Sequence, residues 1–356
     1  MKIKKIFGQE IFEYTGCIHI HTEHSFDARG KVEDIIEDAK NAGLDYIAIA
    51  DHLSMQAKKS LGKSKFFTIC GYEMNDSKKN NHYLTFHTDQ VLSPSLSAKE
   101  YVKNIAENNG VGFIAHPFEK RITKKYRKFE WTDWSITDFD GIEIWNFLSQ
   151  WTGTINFLNL VFRILFPYFS ITKPPSKNLK KWDEFNLKGF QKSAIGGIDV
   201  HANRYSWGPI GFTLFPHKQL FQTIRTTIWL REKLNPNNYE TIILTALKNG
   251  NSFIVNHKRQ HSRNFYCGII SKTTKKFALP GENISLAEGE LFLSVYTPQD
   301  CTIKIIHDGN KIQSEYINKL SIPITEAGFY RVEVYLGLYG WIFSNPIYVT
   351  ENNKTK

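Results

Sequence analysis

The chain has 356 residues, of which 41% are hydrophobic and 22% charged, and its 45 Lys and Arg residues against 35 Asp and Glu residues give a net charge of +10. This length predicts about two domains and excludes an intrinsically disordered chain or a disulfide-stapled miniprotein. The positive charge would suit nucleic acid, a membrane surface or a small anionic substrate, or it serves solubility alone.

The first half of the sequence alternates strand patterns with helical ones. Residues 31–43 place their apolar side chains on one helical face and end at Gly43, and residues 97–110 form a second predicted helix. The predicted strands are residues 17–20, 46–51, 66–73, 83–88, 111–116, 141–146 and 193–199. Strands that alternate with helices indicate an α/β fold, and six or more such units favour a barrel over an open sheet.

After about residue 262 the helical periodicity ends, and short strands separated by turn signals follow one another. This pattern predicts a small antiparallel β-sandwich, Ig-like in type, of about 90 residues. We therefore expect two domains, residues 1–262 and 263–356. Within the first, an aromatic and basic insertion at residues 145–190 follows a barrel strand, so we expect it to lie over the rim as a lid that sets specificity. Its aromatic residues would be core or, alternatively, a stacking surface for substrate.

The sequence gives no sign of export or of a membrane span. The four cysteines are far apart and indicate neither a zinc ribbon nor a disulfide framework: Cys17, Cys70, Cys267 and Cys301. The N-terminal segment lacks the apolar core of a signal peptide, so a cytoplasmic location is expected. The apolar residues 155–171 are too few to span a bilayer and are interrupted by Arg163 and Pro167. We expect a buried or lid helix there, with contact to a membrane surface as the alternative.

Histidines and carboxylates cluster at or near the predicted strand ends. Six of nine such residues lie at C-terminal strand ends, whereas His82 opens a strand and Asp27 lies in the loop after the first strand. The set is His19, His21, Asp27, His52, Glu73, His82, His116, Asp199 and His201. The C-terminal ends of parallel barrel strands converge on one rim, where active sites lie. Six imidazoles and three carboxylates exceed the needs of one tetrahedral zinc and suit two or three divalent ions. Taken singly, each histidine could be a core residue, and each carboxylate a helix cap or a solvated strand end.

The motifs that carry these residues resemble a known family. HIHTEHSFD, AIADH, GYE, NHYLTF, AHP and GIDVH resemble, in the same order, the motifs of the PHP domain (polymerase and histidinol phosphatase family) over about residues 15–202. The resemblance implies a distorted (β/α)7 TIM-like barrel that holds up to three Zn, Mn or Fe ions at its C-terminal rim. It also implies that all nine residues are metal ligands, with Glu73 as the bridging carboxylate.

One motif departs from the family pattern. The usual SDG reads Ser25-Phe26-Asp27, so His24 is an alternative to Asp27 as the ligand at this position. We expect Asp51 to orient His52 rather than to bind metal.

The ligand set predicts a hydrolase in which a hydroxide bridging two ions attacks the substrate. We assign catalysis to Glu73, Asp199 and His201. We assign substrate binding to rim-loop cations and one strand-end carboxylate: Lys120, Arg121, Arg204 and Glu143. Each cation could instead be a solvated loop residue, and Glu143 could instead orient a metal ligand or be a core-edge carboxylate.

The first predicted function is a phosphoesterase that acts on a small anionic phosphate mono- or diester. The alternatives are a metallohydrolase of amide, carbamate or ester bonds, a nucleic-acid-directed exonuclease or accessory module, and a non-catalytic binding protein. Nucleic acid is disfavoured because the lysines are spread along the chain rather than grouped in one basic block. The complete ligand set argues against the non-catalytic alternative. The sequence does not indicate the oligomeric state.

Overall fold

Strands and short helices alternate through the first 262 residues, and strands predominate after them. The structure, a computed structural model, describes residues 1–62, 64–123, 127–207 and 210–351. The strands are β1 (Lys2–Ile6), β2 (Gln9–Ile20), β3 (Tyr46–His52), β4 (Phe67–Met74), β5 (Tyr83–Phe86), β6 (Val111–Ile114), β7 (Gly141–Asn146), β8 (Ser193–Gly197), β9 (Arg204–Trp207), β10 (Ile210–Thr213), β11 (Ile224–Leu230), β12 (Ser252–Asn256), β13 (Tyr266–Ser271), β14 (Phe277–Ala278), β15 (Asn283–Ser285), β16 (Leu291–His307), β17 (Asn310–Ile324), β18 (Gly328–Leu336), β19 (Tyr339–Ser344) and β20 (Ile347–Thr350). The α-helices are α1 (Val32–Asn41), α2 (Ala98–Glu107), α3 (Phe147–Thr152), α4 (Leu160–Leu165), α5 (Ser176–Leu187), α6 (His217–Leu220) and α7 (Tyr239–Asn249).

The seven strands β2 to β8 lie side by side in chain order. The pairs β2–β3, β3–β4, β6–β7 and β7–β8 are parallel, whereas β5 is antiparallel to both β4 and β6. All seven residues of β3 except His52 are buried, as expected for a parallel strand covered on both faces. The predicted α/β class is therefore confirmed, with a large mixed sheet.

The sheet does not close through a strand ladder in the part of the chain that the structure describes. The backbone N–H groups of Ile198 and Asp199, just after β8, donate to the carbonyls of Ile18 and His19 in β2, and an isolated bridge joins Ile20 to Val200. Asp199 has a positive φ of 53°, which ends the extended conformation of this segment. The predicted TIM-like barrel is thus not confirmed.

The C-terminal region is rich in β-structure, as predicted, and is continuous with the first 262 residues. Strand β12 pairs with β19 over residues 253–255, so the two parts share one ladder. They also share a hydrophobic cluster in which Trp229 and Phe253 contact the apolar side chains of the C-terminal strands. The division into domains at residue 262 therefore stays a prediction.

The insertion is made of short helices that are tied to the C-terminal region. Arg331 of β18 donates Nε and Nη2 to the two carboxylate oxygens of Asp183 in α5, at 2.8 and 2.7 Å, and both side chains are buried. The backbone N–H of Gly340 donates to the carbonyl of Thr172 at 2.7 Å. Such a buried bidentate pair fixes orientation as well as distance.

The helix predicted near residues 155–171 is much shorter than the apolar run. Asn156 and Asn159 hydrogen-bond each other's backbone before α4, and Phe166 takes a non-helical conformation before Pro167. No helix in the described ranges combines the length and the apolar character needed to cross a bilayer.

Asn345 supplies a buried polar link between the strands of the two parts. Its Oδ1 accepts from the N–H of Ala194 at 2.7 Å, and its Nδ2 donates to the carbonyl of Ala194 at 2.9 Å and to Ser252 Oγ at 2.9 Å. Asn345→Ala would leave these groups unpaired in the interior. We expect it to lower the free energy of unfolding in urea by about 2 kcal/mol or more. The exposed control Asn237→Ala should change it by less than about 0.5 kcal/mol, and an equally small effect of N345A would contradict the link.

Candidate metal centre

The carboxylate of Glu73, at the end of β4, lies at the middle of a group of imidazoles. Five histidine nitrogens surround its two oxygens: His82 Nδ1 at 2.6 Å, His52 Nδ1 at 3.2 Å, His19 Nε2 and His116 Nε2 at 3.3 Å, and His21 Nε2 at 3.4 Å. Glu73 is buried, with 1% of its surface exposed. A buried carboxylate in such surroundings requires compensating positive charge.

Two further carboxylates extend the group. Asp199 Oδ1 lies 3.4 Å from His19 Nε2, 3.3 Å from His21 Nε2 and 3.6 Å from His201 Nδ1. Asp27 Oδ2 lies 3.4 Å from His52 Nε2 and 3.3 Å from His201 Nε2. The potential ligand atoms form four overlapping groups, each within 4.8 Å, and together these contain all nine residues that the sequence singled out.

The strand ends are irregular where they present these side chains. The β2–β3 ladder slips between Ile18 and Ile20, so His19 lies in a bulge rather than in a regular strand. Three cluster residues have positive φ: His19 at 66°, His116 at 27° and Asp199 at 53°. Left-handed conformations at non-glycine residues are costly and are concentrated at functional sites, where the surrounding structure holds them.

The spacing of the side chains fits divalent ions. Two ligand atoms about 2.1 Å from the same ion at a tetrahedral angle lie about 3.4 Å apart. The nitrogens His21 Nε2 and His52 Nδ1 lie 3.2–3.4 Å from carboxylate oxygens, yet neither has a hydrogen-bond partner within the described ranges. Buried imidazole nitrogens that lack hydrogen-bond partners and lie beside carboxylates are ligands that divalent metal ions bind.

The carboxylate of Glu143, in β7, hydrogen-bonds to residues of the cluster. Its Oε1 lies 2.9 Å from His19 Nδ1, and its Oε2 accepts from the N–H of His116 at 2.9 Å and from Asn146 Nδ2 at 3.0 Å. The side chain is fully buried, which does not suit the substrate contact predicted for it. A carboxylate that hydrogen-bonds the second ring nitrogen of a metal-binding histidine instead fixes the tautomer and the orientation of the ring.

Around the loop after β2 the structure differs from the prediction at Asp51, whereas Asp27 lies in the cluster as predicted. Asp51 accepts from the N–H and the hydroxyl of Thr22 at 2.5 and 2.8 Å, so it anchors this loop and does not orient His52. His24 Nε2 lies 2.9 Å from Ser60 Oγ, outside the cluster, whereas Asp27 is inside it. Ser25 donates to Asp27 Oδ1 at 2.9 Å and accepts from the N–H of His52 at 3.2 Å, and these two bonds hold Asp27 in place.

Burial and neighbouring charges shift the pKa values of these groups. Burial and the neighbouring imidazoles of His201 and His52 lower the pKa of His21 to about 3. Burial opposes charge on His116, but the carboxylates of Glu119 and Glu73 outweigh it and raise its pKa to about 9. Burial also opposes charge on Glu73, yet the surrounding imidazoles hold its pKa well below its usual range. Glu73 therefore stays ionised at neutral pH.

A cavity of about 910 Å³ opens over the cluster. It is bordered by Glu73, His116, Asp199 and His201, among other residues, and by Arg121. The Arg121 guanidinium is paired with Glu119 at 2.7 Å. Of the other predicted substrate contacts, the exposed Lys120 lines a neighbouring cavity of about 390 Å³.

Arg204, the last predicted substrate contact, is exposed at the start of β9 and borders neither the 910 Å³ cavity nor the 610 Å³ cavity beside it. Sequence reasoning missed Asn146 and Glu119. Asn146 both caps α3, accepting from the N–H of Ser149 at 2.8 Å, and donates to Glu143. The only sequence signal for it is an Asn at the boundary between a strand and a helix.

Removing a ligand tests the cluster directly. We expect Glu73→Ala and His19→Ala each to lose at least one equivalent of bound metal per chain, as measured by plasma mass spectrometry, because both side chains belong to several of the overlapping groups. His24→Ala, from the same region but outside the cluster, should keep the wild-type content. Wild-type metal content in both ligand variants would refute the site.

Glu143→Gln tests the supporting carboxylate, since it keeps the shape of the side chain and removes its charge. We expect metal affinity to fall roughly ten- to a hundredfold with an unchanged melting temperature of the metal-free protein. Glu107→Gln on the exposed face of α2 is the matched control. Equal affinities in the two variants would show that Glu143 does not position His19.

Comparison with known proteins supports the resemblance to the PHP domain for part of the chain. Residues 18–128 match the family model described as PHP domain, and seven of the nine clustered residues lie within this range. No curated protein matches the sequence.

Two solved structures are similar to the chain. One is a candidate metal-dependent phosphoesterase from Bifidobacterium adolescentis, 16% identical, with a TM-score of 0.37 over 52% of this chain and 87% of the other. The second is PsfC from Pseudomonas syringae, 9% identical, with a TM-score of 0.38 over 64% of this chain and 88% of the other. The family match at residues 18–128 contains five of the six motifs that resemble the PHP domain.

Proposed function

We propose that the protein is a metal-dependent phosphoesterase that cleaves a small phosphate mono- or diester. The nine clustered residues would hold two or three ions of Zn, Mn or Fe. The observation that carries this proposal is the contact of one carboxylate, Glu73, with five imidazoles, because Glu73 belongs to two of the four groups of potential ligands. The PHP match supports the coarser assignment to metal-dependent hydrolases.

The chain's own residues would bind and orient the substrate. When bound, divalent ions supply Lewis acidity and activate water for attack. Asp199 and His201 border the cavity and would stand next to the reacting group, and Glu73 would hold the centre together. Arg121, at the edge of the same cavity, would face the charge of an anionic ester.

The finer features of the fold belong to the same proposal. Strands β2 to β8 would form the distorted seven-stranded barrel of the PHP fold, joined by the backbone hydrogen bonds between residues 198–200 and β2. Residues 263–356 would form the β-sandwich domain. A cytoplasmic location likewise stays a prediction.

The assay compares three substrates with metal-reconstituted protein: p-nitrophenyl phosphate, bis-p-nitrophenyl phosphate and a p-nitrophenyl carbamate. We expect turnover of at least one phosphate ester and its loss after chelation or in Glu73→Ala, because the same cluster would bind the ions and the ester. Turnover of the carbamate alone would refute the phosphoesterase. Cleavage of single-stranded DNA with a steep loss of binding between 50 and 200 mM salt would favour the exonuclease instead.

A further inference from the structure

A second cavity, of about 610 Å³, adjoins the cavity over the metal cluster. The two share Asp199, His201 and Asn203 along their common border. Its walls are mainly apolar, with the insertion supplying Trp151, Leu160 and Ile164 on one side, and residues 212–220 supplying several more on the other. A phosphate ester held at the metals would therefore have an apolar space of ligand-binding size beside it.

Helix α4 forms the wall between this cavity and solvent, and it is apolar on both sides. Leu160 and Ile164 face the cavity, whereas Phe157 and Leu158, just before the helix, are 95% and 92% exposed and Val161 is 69% exposed. Leu165, Phe162, Phe166 and Phe169 are also about half exposed or more. A contiguous exposed apolar patch of this kind marks a site of interaction.

The helix is held in this position rather than lying loose over the opening. Trp151 Nε1 donates to the carbonyl of Arg163 at 2.8 Å, and Arg259 Nη2 donates to the carbonyl of Tyr168 at 3.1 Å. The Trp151 ring also contacts that of Phe215 edge-on, with centroids 4.7 Å apart. These contacts on the inner side of the segment therefore keep the apolar patch facing solvent.

Basic side chains lie on the segment that carries the patch and next to it: Arg163 of α4 contacts the Phe162 ring, Lys258 contacts the Tyr168 ring, and Arg259 donates to the carbonyl of Tyr168. From residue 144 to residue 182 the sequence contains no Asp or Glu and five basic residues, of which Lys181 is paired with Glu184: Arg163, Lys173, Lys177, Lys180 and Lys181. The opposite wall is similar, since residues 200–231 also contain no Asp or Glu. An apolar patch bordered by cations is complementary to an anionic lipid surface, in which apolar side chains enter the acyl boundary and cations contact the head groups.

From these observations we infer that the insertion serves an amphiphilic substrate. The inner face of α4 forms a subsite for the apolar chain of a phosphate ester, and the outer face contacts the anionic lipid layer that carries this ester. The inference rests on the proposed function and extends it by naming the substrate class. It accounts for a feature that a phosphoesterase of small soluble esters would not need, a helix that is apolar on its cavity side and on its solvent side.

The inner face is tested with a ligand that is bound but not cleaved. Metal-reconstituted protein is titrated calorimetrically with alkylphosphonates from methyl to octyl. We expect affinity to rise roughly three- to fourfold per added methylene until the cavity is filled. Ile164→Asp should abolish this dependence on chain length, and Tyr316→Asp, on the exposed face of β17, should preserve it. Equal affinity for all chain lengths in the wild-type protein would overturn the subsite.

The outer face is tested by flotation with vesicles of phosphatidylcholine alone or with about a third phosphatidylglycerol. We expect binding to the anionic vesicles, reduced tenfold or more by Val161→Asp and unchanged by Tyr316→Asp. Absence of wild-type binding, or equal binding of V161D, would overturn the lipid contact. So would a dimer in solution that V161D dissociates without any vesicle binding, since the patch would then be a self-association surface.

These outcomes are separable from failure of the proposed function. If the protein cleaves p-nitrophenyl phosphate but shows neither dependence on chain length nor vesicle binding, the phosphoesterase stands and the substrate class is wrong. If it cleaves no phosphate ester yet shows both, the apolar subsite and the lipid contact stand and the reaction is a different one.

Discussion

The ionised carboxylate of Glu73 is the constraint around which the first 200 residues are arranged. A carboxylate with 1% of its surface exposed is stable only beside positive charge, and the neighbouring imidazoles, among them His116 with its raised pKa, would meet that need together with the ions they would bind. To bring those imidazoles to one carboxylate, strands β2, β3 and β4 must end at the same edge of the sheet. The left-handed conformations of His19, His116 and Asp199 are the local consequence, because regular strands would not direct these side chains inward.

The sequence was sufficient to predict the cluster because the cluster depends on the order and direction of the strands. Parallel strands end at one edge, so histidines and carboxylates at successive strand ends must meet, whatever the details of each strand. Six of the nine residues were predicted on that basis and the full set by the resemblance of the motifs, and all nine lie together. The choice between Asp27 and His24 required the structure, since it depends on how Ser25 and Ser60 hydrogen-bond in one loop.

What the sequence could not supply are the contacts between side chains from distant elements. Glu143 was predicted to contact substrate or, alternatively, to orient a metal ligand, and the choice depends on Asn146 and His19, which enclose its carboxylate. The extent of α4 was likewise unpredictable from apolar content, because the hydrogen bonds between Asn156 and Asn159 before the helix and Pro167 after it set its limits. The continuity of β12 with β19 crosses the expected domain boundary, and strand pairing at long sequence separation leaves no local pattern.

The buried pair of Arg331 with Asp183 links the C-terminal strands to the cavity of about 390 Å³, which Ser176 and Asn178 of α5 border. Helix α5 belongs to the insertion, and its position is fixed by a guanidinium on β18 rather than by the metal-binding strands. Under the proposed function, selectivity for substrate and the chemistry of the centre would be encoded in different parts of the chain. Substitutions at the contact between β18 and α5 would then change the range of accepted esters and leave the metal-binding residues intact.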